Sequence, residues 1–240
     1  MNNYLVATIH PWNIARYQQY SQTLPGKWHL ITTKDELTLD KIDKITPKYI
    51  FFPHWSWIVP EEILNKYTCV CFHMTDLPYG RGGSPLQNLI MNGLSETKVS
   101  ALQMTTELDA GPIFIKKPLT LTGSAEDIFL RLAKVVAQMI AEMVTSSPIA
   151  TPQQGDVVYF KRRTPQQSEI PEGLSTKELY NFIRMLDAPG YPKAFIYKDN
   201  YKLEFTQAQI TANKLTAEVT FIVQNNNESS KSCQNNLPKK

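Results

Sequence analysis

The densest chemistry in this chain lies between Cys69 and Ser84, which reads Cys-Val-Cys-Phe-His-Met-Thr-Asp-Leu-Pro-Tyr-Gly-Arg-Gly-Gly-Ser. Alternate residues of a strand share a face, so Cys69, Cys71 and His73 project the same way if the segment is extended. Three chemistries compete for them. Two cysteines and a histidine are metal-ligand types, but a structural zinc site needs a fourth ligand at a recognisable spacing and none is visible, so no metal is assigned. A Cys71–His73 nucleophile pair is disfavoured, because neighbours on one strand face rarely reach the geometry a thiolate–imidazole pair needs. The bland reading makes both cysteines small buried hydrophobes. His73 is different: it stands where the strand ends, and in a parallel α/β sheet the carboxyl ends of strands open onto the ligand crevice.

The surrounding elements must then supply such a sheet. Short apolar runs at Tyr4–Ile9, Trp28–Thr33, Tyr49–Phe52 and Thr68–His73 alternate with helix-like stretches. Those helices are expected from about Pro11 to Leu24, from Lys34 to Ile45, and from Pro60, whose Glu61 and Glu62 suit a first turn, to Tyr67. Compact strands alternating with helices predict a Rossmann-like, doubly wound, mostly parallel α/β sheet. No Gly-x-Gly-x-x-Gly follows the first strand, so a standard dinucleotide site is not indicated. Downstream, Pro85–Asn92 reads as a helix closed by Gly93, and Thr97–Thr105 and Pro112–Leu121 as strands. Ser124 with Asp127 has capping-box spacing ahead of a long helix to about Ser147. Composition shifts at Thr151, which divides the chain into a catalytic domain at 1–150 and a small α+β appendage at 151–223. In the appendage, Pro152–Gly173 is expected to wrap the surface. Ser175–Leu186 reads as a helix, and Ala194–Tyr197, Lys202–Thr206 and Ala217–Val223 as strands. Residues 224–240 are polar without apolar period and read as a disordered tail.

Bulk properties narrow the class. The 240 residues carry a net charge of +3, and the longest basic run is Lys161-Arg162-Arg163. Nucleic acid is therefore not the expected partner. The N-terminus lacks a signal-peptide pattern, no apolar run approaches the roughly 20 residues of a membrane span, and the three cysteines do not form a disulfide framework. A cytoplasmic protein is expected, with no membrane partner.

The stretch from Phe72 to Gln87, with Leu108-Asp109-Ala110-Gly111-Pro112 after it, resembles the catalytic core of the folate-dependent formyltransferases. That family pattern is Asn-x-His, then Leu-Pro-x-x-x-Gly or Leu-Pro-x-x-Arg-Gly, then Leu-Asp-x-Gly. A second segment, Leu179 to Phe195, is similar to one of the amino-sugar N-formyltransferases. By this resemblance His73 donates toward the formyl oxygen, and Asp109 holds and charges that histidine and passes on a proton, meeting the needs of a tetrahedral oxyanion and of an amine that must lose a proton. Cys71 replaces the family asparagine. A thiol is a poorer donor than an amide, which leaves open whether a backbone amide or another side chain takes over, the enzyme is slow, or the chain is an inert binding relative. The resemblance places the co-substrate, N10-formyltetrahydrofolate, against Trp57, Ile58, Val59, Leu77, Thr105, Thr106, Glu107 and Leu108. It places the acceptor against His10, Trp12 and Asn13. Arg81 and Arg184 are open between diphosphate partners and structural salt-bridge residues. The implied acceptor is a UDP- or dTDP-linked amino-deoxy sugar, with the closest segments those of pseudaminic-acid-type pathways, since the appendage is too short for the RNA-binding barrel of a methionyl-tRNA formyltransferase. Another amine, such as an amino acid or aminoacyl carrier, is the alternative, and a homodimer is compatible with either.

Overall fold

Short apolar runs, Tyr-Leu-Val-Ala, Trp-His-Leu-Ile, Tyr-Ile-Phe-Phe and Cys-Val-Cys-Phe, have the makings of strands in a covered sheet. In the computed structural model, which describes residues 1–212 and 214–224, they form them: β1 (Asn3–Ala7), β2 (Lys27–Ile31), β3 (Pro47–Phe52) and β4 (Cys69–His73). Between them lie α1 (Pro11–Tyr20), α2 (Leu39–Ile45) and α3 (Glu61–Lys66). The chain continues through β5 (Arg81–Gly82), α4 (Pro85–Met91), β6 (Glu96–Gln103), β7 (Ile113–Thr120), α5 (Ala125–Ser146) and β8 (Tyr159–Phe160), then α6 (Thr176–Arg184), β9 (Ala194–Lys198), β10 (Tyr201–Thr211) and β11 (Lys214–Val223). The chain forms two compact units, the first running from Met1 to Arg163 and the second starting at Thr164.

The first unit is built on a six-stranded sheet in the order β2-β1-β3-β4-β6-β7. Strands β1 to β4 pair in parallel, whereas β6 and β7 are antiparallel. The expected doubly wound, mostly parallel α/β sheet is therefore present. One face buries Leu5, Ala7, Ile50, Phe52 and Cys69 together with Ile42 of α2 and Ile63 of α3. The other face is aromatic: Tyr4 packs on Trp28 and Phe51, and Phe51 on Phe72. Here α1 and α5 pack against each other, and α5 lies against β6 and β7. Alternation along each strand thus sends one set of residues to each helical layer.

Several boundaries follow local chemistry. Ser124 accepts from the Asp127 N–H while the Asp127 carboxylate accepts from the Ser124 N–H, so the anticipated capping box starts α5. Ser175 and Glu178 do the same for α6. Gly93, with φ of +77°, closes α4 through its N–H to Ile90 O. The expected helix over Lys34–Ile45 is broken, with a single 3₁₀ turn at Lys34–Glu36 before α2. The cause is Thr38, whose side chain accepts from the Lys41 N–H and restarts the helix as an N-cap.

The segment after Thr151 does more than wrap the surface. Thr151 bridges to Ile113, β8 pairs in parallel with β5, and Phe160 is buried beneath Gly80. In the second unit α6 packs against a three-stranded antiparallel sheet, β11-β10-β9. Its hairpin strands are longer than the expected Lys202–Thr206 and Ala217–Val223, because exposed polar residues near the turn carry no apolar alternation. The tail read at 224–240 lies, from residue 225, outside the described residues, as does Cys233. No helix among the described residues is long and apolar enough to cross a membrane.

Candidate active site

His73 ends β4, its ring hydrogen-bonded on one side and facing a carboxylate on the other. Nε2 lies 2.7 Å from Gly80 O, which makes Nε2–H the donor, and Nδ1 lies 3.6 Å from Asp109 Oδ1. Gly80 owes its place to having no side chain: a Cβ there would stand 2.7 Å from the Phe160 ring and 2.8 Å from Thr75 Cγ2, and its φ is +78°. Between the two residues, Ser100 Oγ donates to Thr75 O, while Lys116 donates to Asp76 and to Leu77 O. The loop that presents the carbonyl is thus tied to β6 and β7.

Asp109 arrives by a longer route. β6 runs antiparallel to β4, so its last residue, Gln103, lies next to β4's Val70. The Met104–Pro112 connection then carries Asp109 back to His73. Asp109 has φ of +53°, a left-handed conformation that Asp tolerates better than most residues. Its Oδ2 accepts from the Gly82 N–H at 2.9 Å. Only about 10% of each side chain of the His73–Asp109 pair is exposed, so the pair is shielded from most of the solvent screening an exposed pair suffers. The fold therefore brings together the two residues that the resemblance singled out.

Cys71 occupies the floor. It packs against Leu77, Leu102 and Ile113 on one side and against the cluster containing Val59 and Cys69 on the other. Burial pushes the Cys71 thiol far above the ordinary cysteine range, and the Asp109 carboxylate adds to the effect. Burial also pushes Cys69 up to about 12. Both are protonated thiols at neutral pH, as expected of small apolar residues. Among the described residues no three His, Cys, Asp or Glu side chains are grouped to hold a metal.

The residues expected against the folate fall into two groups. Val59 and Leu77 are buried walls on the two apolar clusters that meet at Cys71. Ile58 is 95% exposed and Leu108 68%, while Trp57 packs edge-on against Trp55. Thr105, Thr106 and Glu107 are exposed, with Thr105 Oγ1 donating to Glu107 O. The folate candidates thus divide into buried apolar side chains and exposed loop residues.

The acceptor candidates divide differently. His10 stacks on Trp12 at 4.5 Å, and Trp12 is parallel to Phe129 of α5. His54, which sequence reasoning did not assign, meets His10 at 4.0 Å and has φ of +56°. Burial lowers the His54 pKa to about 3, and the neighbouring His10 pushes the same way. The signal available was its place one strand across from His10, in a loop equally rich in aromatics. The Asn13 amide is committed to Pro53 O, alongside Thr8 Oγ1. Arg81 is buried: Nε and Nη2 donate to Gln153 Oε1, and Nη1 lies 3.3 Å from Glu107. Arg184 lies in the second unit, where Nε donates to Asn181 Oδ1 and the guanidinium covers the Tyr180 ring.

The sheet topology, with a histidine–carboxylate pair at the end of β4, defines a Rossmann-like α/β fold with a candidate proton-handling site. The chain belongs to the formyltransferase family: a family model described as "Formyl transferase" matches residues 19–144, and one described as "Methionyl-tRNA formyltransferase, C-terminal domain" matches residues 165–222. A solved structure titled methionyl-tRNA formyltransferase from Clostridium thermocellum is 46% identical, with a TM-score of 0.91, over 93% of this chain and 100% of its own. A methionyl-tRNA formyltransferase of Francisella philomiragia is 29% identical over 196 residues, covering 79% of this chain and 62% of its own. The chain spans about three fifths of the length of the curated relatives it matches. A sugar N-formyltransferase from Shewanella shares the fold, with a TM-score of 0.69 at 14% identity over 89% of this chain and 100% of its own. The C-terminal match qualifies the expectation that the appendage is unlike that of a methionyl-tRNA formyltransferase, and the sugar enzymes are the more distant likenesses.

Proposed function

We propose that this chain moves a formyl group from N10-formyltetrahydrofolate to the primary amine of a UDP- or dTDP-linked amino-deoxy sugar. The observation that carries the proposal is the His73–Asp109 pair, 3.6 Å apart and largely withdrawn from solvent beside the Val59–Leu77 walls. The folate supplies the formyl group: the amine nitrogen bonds to the formyl carbon, the bond from that carbon to N10 breaks with its electron pair left on N10, and the proton given up by the amine ends on N10. His73 supplies an N–H, held on Gly80 O, to the formyl oxygen. Asp109 keeps one oxygen on the Gly82 N–H and turns the other toward His73, where it orients the ring and takes the proton, directly or through a water. Val59, Leu77 and the loop from Thr105 to Leu108 are the groups that would hold the pterin.

For the acceptor, charge favours the sugar. Between Thr164 and Gln224 the chain has six Lys and Arg against seven Asp and Glu, the reverse of a surface built to neutralise RNA phosphates. The second reading, methionyl-tRNA as acceptor, is favoured by the match of residues 165–222 to a methionyl-tRNA formyltransferase C-terminal domain. The test is formyl transfer, followed by mass spectrometry, to UDP- and dTDP-linked amino sugars (those of pseudaminic-acid-type pathways first), free amino acids and methionyl-tRNA. Product on a nucleotide sugar, abolished by His73→Ala, is the expected result. Product on methionyl-tRNA alone replaces the acceptor, and activity that survives His73→Ala removes that residue's role. Turnover seen only after Cys71→Asn identifies an inert relative.

A further inference from the structure

Gln153 belongs to no motif and lies in a polar segment, yet its amide is the centre of the site's frame. Nε2 donates to Asp109 O at 2.7 Å and to Gly111 O at 2.9 Å. Oε1 accepts from Arg81 Nε at 3.1 Å and Nη2 at 2.8 Å. Arg81 Nη1 reaches Glu107 at 3.3 Å, and the next residue, Gly82, donates its N–H to Asp109 Oδ2. The result is a closed ring: Gln153 to the Asp109 backbone, the Asp109 side chain to Gly82, and Arg81 back to Gln153. Both N–H bonds of one amide, and its oxygen twice over, are spent on it.

The ring has a specific consequence for Asp109. With φ of +53° the residue sits in the left-handed region, less costly for Asp than for most non-glycine residues but still in need of support from its surroundings. The two carbonyls Gln153 binds belong to Asp109 itself and to Gly111, two residues on. They fix the turn that aims the carboxylate at His73. Resting on the formyl-transfer reading above, we infer that Gln153 is the positioning residue for Asp109, and that Arg81 is an anchor of this frame rather than a partner for the acceptor's phosphates. An uncharged amide is suited to both jobs at once, since it donates to carbonyls while accepting from a guanidinium.

Gln153→Glu separates the two halves: the carboxylate keeps Arg81 but has no N–H for the Asp109 and Gly111 carbonyls. The expected kinetic result is a kcat lowered on the order of tenfold to a hundredfold, with the acceptor KM within about twofold of wild type. A KM rise at unchanged kcat overturns the assignment, as does a kcat within about twofold of wild type. Amide hydrogen exchange gives a second readout that needs no turnover. The Gly82 N–H, held by Asp109, should exchange roughly tenfold faster in Gln153→Glu, while the Gly83 N–H, held by Phe160 O at 3.1 Å, should not change. Unchanged Gly82 exchange, or equal acceleration at Gly82 and Gly83, overturns the inference. If wild type formylates no acceptor, the functional reading fails and the exchange experiment still decides the role of Gln153.

Discussion

Gly111→Ala is the sharpest steric probe of the site. A Cβ at this position would stand 1.8 Å from Gln103 O and 2.9 Å from Gln103 C, both backbone atoms of β6. Separation of at least 1.2 Å is needed to bring the first contact to 3.0 Å, below which such contacts essentially do not occur. Gln103 is held in the ladder by its pairing with Val70 of β4. The Met104–Pro112 connection is the softer partner and must give way. A shift of that size along the Asp109–Gly82 bond stretches it from 2.9 Å to about 4.1 Å, beyond hydrogen-bond range. It also strains the Gln153 bond to Gly111 O. Misplacement of a catalytic group by about 1 Å costs on the order of 10² in rate, while overpacking costs roughly 1–3 kcal/mol in stability. The expected outcome is a folded protein with kcat lowered about a hundredfold, measured at saturating co-substrate and acceptor, and a modest fall in Tm. A variant that keeps kcat within about threefold of wild type would show that the position of Asp109 does not set the rate.

Three further outcomes follow from burial. His54 stays neutral in the folded protein down to about pH 3, whereas the unfolded chain takes up its proton near pH 6.5. Its contribution is therefore fully present above about pH 6.5 and is lost on acidification, by up to about 1.4 kcal/mol per pH unit between those values. Urea denaturation at pH 4 to 7 should show a shallower pH slope in His54→Gln, and equal slopes would refute the assignment. Cys71→Asn places an amide among Leu77, Leu102 and Ile113; it should cost about 1–3 kcal/mol and raise kcat tenfold or more if no other donor has replaced the family asparagine, read by denaturation and turnover on the same preparation. Cys69, pushed up to about 12, and Cys71, pushed higher still, should resist iodoacetamide at pH 8 in the native protein and react after unfolding, as peptide mapping will show.

What the sequence disclosed was local or tightly spaced. Strands β1 to β4 were legible because their apolar runs are short, continuous and cut by Pro or Gly. The α5 and α6 starts were legible because a capping box is complete within four residues. His73 and Asp109 were legible as a pair because the formyltransferase resemblance fixes the interval between them. Gln153 was not, because its meaning depends on carbonyls and a guanidinium 42 to 72 positions away, and no periodicity or propensity encodes that. Arg81 was left between two readings for the same reason: a guanidinium fork suits a phosphate and an amide oxygen alike, and only the fold shows Gln153 in front of it. The 3₁₀ turn before α2 had a local signal, Thr38, outweighed by the helical spacing of the charges around it.

On the proposed reading, the thiol at Cys71 in place of an amide would shift weight onto His73. The thiol remains protonated, so it offers only a weak S–H donor and no thiolate. His73, by contrast, holds a full N–H in place on Gly80 O. A backbone carbonyl is close in acceptor strength to a formyl oxygen, so exchanging one for the other gains little while the substrate is merely bound. The balance changes once negative charge develops on that oxygen, because a charge-assisted hydrogen bond is roughly twice as strong as a neutral one. On that reading Gly80 O would be a placeholder that keeps the donor oriented without competing at the moment it is needed, the differential stabilisation catalysis requires. Asp109 faces the opposite ring nitrogen at 3.6 Å, and on the inference drawn above the Gln153 frame would keep it in place when the ring changes partners.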